Sequence, residues 1–338
     1  MKLPIRFAIA NQGVATFSAL IGISCLAAIT SSQVAAQTYP SKPIRIVVPF
    51  APGGVDITAR LLQPKMQEDL GQALIIENRP GAGGVTGSVA VSKSPADGYT
   101  LLMTASGTLI STPLLSAKPA FDPINDFSPI TVVFQAVSTL VVNASLPVNS
   151  VKELIDHARR NPSKVGFASP GIGTNQHMDG EVFKATAGLD IFHVPYKGFG
   201  PSIQDLVAGH IQLGFVTYAN IRAHLSAGKV KIIAVGDAKR YPPLAAVPTI
   251  AETLPSYQRV PGWSGALLGP PGLSKAISTR LYSAALKAIN TPEVRSKLDE
   301  GGSLVMGITP EEFTALLKSD LERVGKIVKS LGIKVDEP

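Results

Sequence analysis

The feature that most constrains the fold of this chain is a unit that occurs twice: an apolar run, a glycine-rich bend and the start of a helix. The first copy is VPFAPGGVDITAR (residues 48–60) and the second is FASPGIGTNQHMDG (residues 167–180). Its apolar runs suit short parallel strands that are buried on both faces. We expect such strands at residues 44–48, 73–76, 99–103, 164–168, 211–216 and 230–235. Because helical patterns separate them, the sequence predicts parallel α/β sheets.

Helix signals divide this alternation into two blocks. A helix over 57–70 closes at Gly71, and Ser150 with Glu153 forms a capping box that opens another helix. A third is expected over 175–187, and the chain ends in helical stretches, the last of them capped by Thr309. Residues 240–263 are proline-rich and aperiodic, which suggests a surface crossing between lobes. We therefore predict two α/β lobes: residues 37–138 with 262–338 form lobe 1, and residues 139–261 form lobe 2.

The N-terminus has the pattern of a secretory signal peptide. Lys2 and Arg6 precede a mostly apolar stretch that ends in Val34-Ala35-Ala36, a small-residue cleavage pattern. We predict cleavage after residue 36 and a periplasmic protein. An uncleaved membrane anchor is the main alternative, since the apolar run is nearly long enough to span a bilayer. A lipoprotein modified at Cys25 is disfavoured by the residues before that cysteine.

Composition excludes several classes of function. Cleavage leaves 302 residues without cysteine, so the fold depends on its core, and thiol catalysis and cysteine metal sites are excluded. The formal charge falls from +7 to +5. The basic residues are scattered and not interleaved with aromatic residues, which argues against nucleic acid binding. The five histidines show no metal-ligand spacing, and neither bend matches a dinucleotide fingerprint or a nucleotide P-loop. We expect no metal and no cofactor.

The bends themselves favour a small anion. A helix N-terminus carries unpaired backbone N–H groups and a partial positive charge, and glycine lets a ligand approach the backbone closely. One N-terminus contributes only about 0.3–1 kcal/mol, whereas micromolar affinity requires about 8 kcal/mol. Both bends would have to act on one ligand, enclosed between the two lobes.

Several polar residues at these bends are candidate ligand contacts. Asp56 opens the first helix, either as a plain cap or as a residue that orients the loop or meets the ligand. His177 is either a structural histidine or a ligand contact, and residues 104–107 form either a simple turn or a ligand loop. The other candidates are Thr104, Ala105, Ser106, Ser169, Thr174 and Asn175.

Longer stretches point to a family. They are YPSKPIRIVVPFAPGG, GQALIIENRPGAGG, SPADGYTLLM, FASPGIGTNQHMDGEVF, HVPYKGFGPSIQDLVAGHIQLGF, VPTIAE and GWSGALLGPPG. In this order they resemble, over nearly the whole mature chain, the Bug-type extracytoplasmic solute receptors of tripartite tricarboxylate transporters. The resemblance implies a two-lobe, type II-like periplasmic binding protein, with a mainly parallel sheet in each lobe and a hinge between. It also implies closure on a small carboxylate, membrane transporter subunits as partners and no catalysis; we expect a monomer.

The resemblance also implies a set of ligand-binding residues. In that family two loops hold the ligand carboxylate through backbone N–H groups and ordered water, and here these loops are residues 50–56 and 169–175. Tyr196 belongs to a matching YKG motif. The residues added on this basis are Phe50, Pro52, Gly53, Gly54, Val55, Gly171, Gly173 and Tyr196.

Two departures from the family pattern put the ligand set in question. Only Val55 separates Gly54 from Asp56, where the family usually has two residues. Val216 follows IQLGF, where an aspartate is common.

Two other functions are also compatible with parts of the sequence. One is a sensor that docks on a receptor kinase, and the other is an exported hydrolase that uses Ser106 or Ser169 near His177.

Overall fold

A computed structural model of the chain describes Met1 and residues 39–332. The predicted cleavage point after Ala36 and the single Cys25 lie outside the described residues, as does the predicted signal peptide except for Met1. The chain separates into two compact units, Met1–Ser41 and Lys42–Pro338. The helices and strands described below all belong to the second unit.

The strands agree closely with the expected pattern. Those predicted at 44–48 and 230–235 are confirmed in full, and the other four lie within two residues of the prediction. Five further strands, at residues 128–136, 138–143, 192–195, 263–269 and 303–305, were not predicted. The strands are β1 (Ile44–Val48), β2 (Leu74–Asn78), β3 (Thr100–Thr104), β4 (Ser128–Ala136), β5 (Ser138–Asn143), β6 (Gly166–Ser169), β7 (Phe192–Pro195), β8 (Leu213–Thr217), β9 (Val230–Val235), β10 (Trp263–Gly269) and β11 (Ser303–Val305).

The predicted caps lie at helix ends, although the first helix begins at Val55, two residues before the predicted start. The Ser150 hydroxyl accepts a hydrogen bond from the Glu153 N–H, and Thr309 and Glu312 form a full capping box. Gly71 ends the first helix with φ +67°. The helices are α1 (Val55–Leu70), α2 (Val85–Ser92), α3 (Thr112–Leu115), α4 (Val151–Arg160), α5 (Asn175–Ala187), α6 (Phe199–Ala208), α7 (Tyr218–Leu225), α8 (Ile250–Thr253), α9 (Lys275–Ile289), α10 (Pro292–Glu300) and α11 (Pro310–Leu331).

The strands form two separate mixed sheets. The six-stranded sheet has the order β11-β4-β10-β3-β1-β2, and the five-stranded sheet has the order β7-β6-β8-β5-β9. The expected parallel pairing holds around β1, which pairs with β2 and β3, and around β6, which pairs with β7 and β8. The other pairs are antiparallel. They arise because the chain enters the second sheet through β5 directly after β4, and β10 later inserts between β3 and β4.

The two passages of the chain between the sheets define two lobes. We call the six-stranded sheet with its helices lobe 1, and the five-stranded sheet with its helices lobe 2. One residue, Val137, separates β4 in lobe 1 from β5 in lobe 2, and the chain returns between β9 and β10. The lobe boundaries predicted after residues 138 and 261 remain a prediction.

The sheet of lobe 2 is covered on both faces. Leu140 and Val142 pack with α4 and α5, whereas Val141 between them packs with α6 and α7. Successive side chains of a strand point to opposite faces, so β5 contributes to both hydrophobic clusters. A strand buried on both faces carries a continuous apolar run, and in β5 this run is Leu140-Val141-Val142.

Lobe 1 is closed by the C-terminal helix α11. Phe313, Leu317 and Val324 of this helix are fully buried against strands of the six-stranded sheet. Trp263 on β10 packs edge-on against Phe313, and its indole N–H donates to Asp320 at 2.8 Å. The single tryptophan is therefore a core residue with a satisfied polar atom. Among the described residues, no helix combines the length and apolar character needed to cross a membrane.

Candidate functional site

The first bend follows β1, where the backbone leaves the sheet of lobe 1. Gly53 and Gly54 have φ values of +131° and +45°, and α1 begins at the next residue. Other residues rarely adopt such values, so the backbone requires glycine at both positions. The N–H groups of Gly53, Gly54 and Val55 have no acceptor within residues 39–332. This bend therefore presents free backbone donors at the N-terminus of α1.

Asp56 holds the first bend in place through two other side chains. Its carboxylate makes no cap hydrogen bond, so the cap interpretation is wrong. Both carboxylate oxygens accept from Arg60 Nε at 3.1 Å, and Arg60 Nη2 donates to Asn78 Oδ1 at 3.2 Å. Asn78 Nδ2 then donates to the Phe50 carbonyl at 3.0 Å. The negative charge in the first turn of α1 is thus compensated, and the bend is tied to β2.

The second bend follows β6 in lobe 2 and is held by its own side chains. Gly171 and Gly173 have φ values of +147° and +79°. The Ser169 hydroxyl donates to the Gly171 carbonyl at 3.1 Å and accepts from the Gly171 N–H at 3.2 Å. Thr174 caps α5 by accepting from the His177 N–H, and its hydroxyl also donates to the Gly171 carbonyl at 2.7 Å. The first turn of α5 contains no acidic residue.

Two histidines lie directly beneath the second bend. His177 Nδ1 accepts from the Gly173 N–H at 3.2 Å, and His193 Nε2 lies 2.7 Å from Ser169 Oγ. Their rings stack with centroids 4.2 Å apart, and the ring of Phe167 covers the other face of His193 at 4.8 Å. Burial lowers the pKa of His177 to about 4 and, with the neighbouring His177 and Lys184, the pKa of His193 to about 3. His177 thus contacts the bend from inside, and His193 was missed by sequence reasoning.

The loop after β3 brings the two lobes into contact. Ser106 Oγ donates to the Pro261 carbonyl and accepts from Asn175 Nδ2, both at 2.8 Å. A Cβ on Gly107 would lie 3.2 Å from the Gly173 carbonyl. The Thr104 hydroxyl is fully buried and has no partner among the described residues. Predicted residues from lobe 1 and lobe 2 therefore meet at this loop.

A third glycine bend, residues 81–84, lies between the other two. A Cβ on Gly84 would lie 3.3 Å from the Phe50 ring, and one on Gly83 would lie 3.9 Å from the Ile172 carbonyl. Thr108 Oγ1 donates to the Gly83 carbonyl at 2.8 Å. The segments around residues 50 and 172 thus flank the same bend. Its sequence, NRPGAGG, belongs to one of the stretches that resemble the family, but it gave no signal that placed the bend beside both loops.

The side chain of Tyr196 does not reach the second bend. Its hydroxyl donates to Asp205 Oδ2 at 2.7 Å, and its ring packs on the cluster of α6. Burial and the Asp205 hydrogen bond raise the pKa of Tyr196 to about 12. Only its backbone is near, since a Cβ on Gly171 would lie 3.3 Å from the Tyr196 carbonyl.

A buried charge cluster lies where the chain crosses between the lobes. Arg259 donates to Asp179 of α5 at 3.4 Å, to Asp237 after β9, and to the Ala136 carbonyl at 3.2 Å. Asp179 is fully buried and accepts from the Val260 N–H at 3.2 Å. Burial raises the pKa of Asp179 to about 6, despite the opposing effect of Arg259. This cluster joins both interlobe crossings to the helix that carries the second bend.

Comparisons with known proteins agree on one family. The family described as tripartite tricarboxylate transporter family receptor (TctC) matches residues 58–333. A protein from the tcbD-tcbE intergenic region of Pseudomonas sp. strain P51 is 37% identical over 89% of this chain and 90% of its own length. BugT of Bordetella pertussis strain Tohama I is 32% identical over 94% of this chain and 98% of its own length. The chain belongs to the TctC receptor family.

Solved structures of similar proteins share the fold of this TctC receptor. The periplasmic binding protein BugD is 30% identical with a TM-score of 0.80, over 88% of this chain and 99% of BugD. Rpa4515 of R. palustris with adipate is 34% identical with a TM-score of 0.82, over 88% and 99% of the two chains. MatC of Rhodopseudomonas palustris with bound malate is 29% identical with a TM-score of 0.79, over 86% and 100%. The predicted two-lobe α/β fold of a periplasmic binding protein is confirmed.

The two departures of this TctC receptor from the family pattern have different structural contexts. Val216 on β8 is 5% exposed and packs in the hydrophobic cluster of α6 and α7. The position therefore adds apolar contacts to lobe 2 and offers no carboxylate. The short first bend, in contrast, has exposed residues at Pro52 and Gly54, so its length changes the surface that a ligand would meet.

Within residues 39–332, neither serine of the hydrolase alternative belongs to a hydrogen-bonded serine–histidine–carboxylate arrangement. Ser106 contacts an amide and a carbonyl, neither of which can act as a base. Ser169 contacts His193 instead of the expected His177, and no carboxylate is hydrogen-bonded to His193 within residues 39–332. No group of three His, Cys, Asp or Glu side chains in that range could hold a metal ion.

Proposed function

We propose that this protein is a periplasmic receptor that captures a small organic carboxylate between its lobes and delivers it to a tripartite tricarboxylate-type membrane transporter. The observation that carries the proposal is the meeting of glycine bends from both lobes around residues 81–84. Each bend begins a helix, and backbone N–H groups at such starts favour anions. The ligand-binding residues predicted from the sequence are retained in the proposal, with His177 and Tyr196 shaping the second bend instead of meeting the ligand directly.

The charges around the bends support an anionic ligand. The first turns of α2 and α5 contain no acidic residue, and Arg60 compensates Asp56 in α1. Because each helix N-terminus contributes only about 0.3–1 kcal/mol, the remaining affinity would come from desolvated hydrogen bonds formed when the lobes close. The adipate and malate held by the similar proteins make dicarboxylates the first ligands to test. In this mechanism no bond of the ligand is made or broken.

The first prediction concerns ligand binding. Among adipate, malate, citrate, acidic amino acids and aromatic acids, at least one is expected to raise Tm by about 4 °C. A ligand at 100 times its Kd adds about 2.7 kcal/mol. Because the unfolding entropy is about 2.1 cal/mol/K per residue, each 1 kcal/mol raises Tm by about 1.6 °C in the predicted mature chain. Scanning fluorimetry of the purified protein, with the uncharged amides of adipate, malate and citrate as controls, measures this shift. No shift across the panel would contradict the proposal.

The second prediction concerns the N-terminus. Expression of the full-length gene in a Gram-negative host is expected to yield a periplasmic protein that begins at Gln37. Intact-mass measurement of the periplasmic and membrane fractions distinguishes the alternatives. An uncleaved chain in the membrane, or a lipid attached at Cys25, would contradict periplasmic release.

Delivery to a transporter is tested separately from binding. Uptake of the radiolabelled ligand into proteoliposomes that contain the tripartite membrane subunits should require this protein. Binding without such uptake would favour the sensor function instead.

A further inference from the structure

We propose that His177 and His193 are positioning residues that clamp the second bend in its ligand-binding shape, and that protonation of His177 opens the clamp. The clamp is the set of contacts among Ser169, Gly173, His177 and His193. The expected effect of the clamp on ligand affinity rests on the proposed function. The effect of the clamp on the conformation of the second bend can be measured without any ligand.

The hydrogen bonds fix which nitrogen of each imidazole carries the proton. His177 Nδ1 accepts from the Gly173 N–H, so its lone pair is there and its proton is on Nε2. Ser169 has one hydroxyl proton, which it donates to the Gly171 carbonyl. His193 Nε2 therefore donates its proton to Ser169 Oγ. In this arrangement both rings are neutral.

The clamp holds the bend at both ends. His193 on β7 fixes Ser169, the last residue of β6, and His177 on α5 fixes Gly173. The stacked rings of Phe167, His193 and His177 set the orientation of both imidazoles. Because His177 takes the Gly173 N–H, that group is directed into the protein. The Asn175 and Gln176 N–H groups, which have no acceptor within residues 39–332, are left to meet an anion.

Protonation of His177 is incompatible with the clamp. A proton on Nδ1 would face the proton of the Gly173 N–H, and the hydrogen bond would be lost. The titratable group stacked on the ring is His193 of β7, which is neutral, and Lys184 of the same helix opposes a positive charge on His177. Burial, followed by Lys184, lowers the pKa of His177 to about 4, so the clamp is closed at neutral pH. Since opening the bend lets the ring bind a proton more readily, acid favours the open state.

Three variants separate the hydrogen bond from the ring stack. His177→Asn places an amide oxygen near the position of Nδ1 and cannot titrate. His177→Phe keeps an aromatic ring on His193 but provides no acceptor, which leaves the Gly173 N–H unsatisfied. His157→Asn on α4, outside the site, controls for the loss of a histidine. Tm and circular dichroism of each variant confirm that it is folded.

The first measurement uses the ligand-free protein. The Gly173 amide resonance in ¹H–¹⁵N spectra is expected to shift between pH 7 and pH 3 with a midpoint near pH 4. His157→Asn should show the same transition, and His177→Asn should not. A Gly173 resonance that does not respond to pH, or that responds equally in His177→Asn, would overturn the proposal.

The second measurement is the Kd of adipate by calorimetry. His177→Phe should weaken adipate binding at pH 7 by about tenfold, since the amide loses its partner, and His177→Asn should restore most of the loss. At pH 4 the affinity of the wild type should fall about twofold relative to His177→Asn, because half of His177 is then protonated. Wild-type affinity in the Phe variant, or an equal loss in both variants, would overturn the clamp. If the wild-type protein does not bind adipate, adipate is not the ligand of the proposed function. The pH titration of the Gly173 amide then tests the clamp by itself.

Discussion

Replacing Arg259 with alanine is expected to lower the free energy of unfolding by about 3–5 kcal/mol. Removing one member of a buried ion pair leaves its partner charged and without compensation, which costs this much. Here two carboxylates, Asp179 and Asp237, would lose the same guanidinium. The side chain of Arg259 is 7% exposed and that of Asp179 is 0% exposed, so water cannot replace the lost contacts. Urea denaturation followed by circular dichroism measures the change.

The pair of Arg240 and Glu252 provides a matched control. Arg240 also contacts a carboxylate directly, but both side chains are more than 40% exposed. Because exposed ion pairs contribute little to stability, Arg240→Ala should change the unfolding midpoint far less than Arg259→Ala. Equal losses in the two variants would show that the buried cluster has no special role in stability.

The pH dependence of the Arg259→Ala loss gives a second check. Burial raises the pKa of Asp179 to about 6 in the folded protein from an ordinary value of 3.8. Such a carboxyl binds more protons when folded, so its contribution to stability is full below about pH 3.8 and is lost as the pH rises through 6. Arg259 opposes this rise in the pKa of Asp179. Without Arg259 the pKa rises further, so the protonated carboxyl keeps its contribution to stability up to a higher pH. The loss should therefore be larger at pH 8 than at pH 5.

Local signals in the sequence predicted most of the elements of secondary structure. The caps at Ser150 and Thr309 and the glycine after α1 lie where helices begin and end. These signals work because a cap or a positive φ depends on a few adjacent residues. β10, which contains serine and two glycines, gave no strand signal, yet it lies between β3 and β4. Its pairing depends on segments more than 100 residues away, and no local pattern encodes that.

In the candidate site, too, the sequence predicted only the features that depend on adjacent residues. Glycines 53, 54, 171 and 173 were selected correctly as bends, because motif and backbone conformation coincide. The direction of a polar group was not predictable. The Gly173 N–H points to His177, and the Tyr196 hydroxyl points to Asp205. Each direction depends on a rotamer and a partner that only the packed structure provides. His193 and the Arg259 cluster were missed for the same reason.

Gly173→Val is expected to abolish ligand binding while the protein remains folded. Gly173 has φ +79°, and a Cβ there would lie 3.0 Å from Thr112 Oγ1 in the opposite lobe. Valine would therefore strain the backbone of the bend and separate it from the loop after β3. Both changes displace the N–H groups at the start of α5, which the proposed function assigns to the anion. Calorimetry with the carboxylate that gives the largest wild-type Tm shift should show a loss of more than tenfold.

Gly188→Val separates strain from site geometry. Gly188 ends the same helix with φ +60°, and a Cβ there would meet no atom within 4 Å. Both variants carry the cost of a left-handed residue, about 1–2 kcal/mol, so their Tm values should fall by similar amounts. Only Gly173→Val alters a surface that faces lobe 1 and the anion. If Gly173→Val binds the carboxylate as tightly as Gly188→Val does, the second bend does not belong to the site, and one helix N-terminus alone would be too weak to hold the ligand.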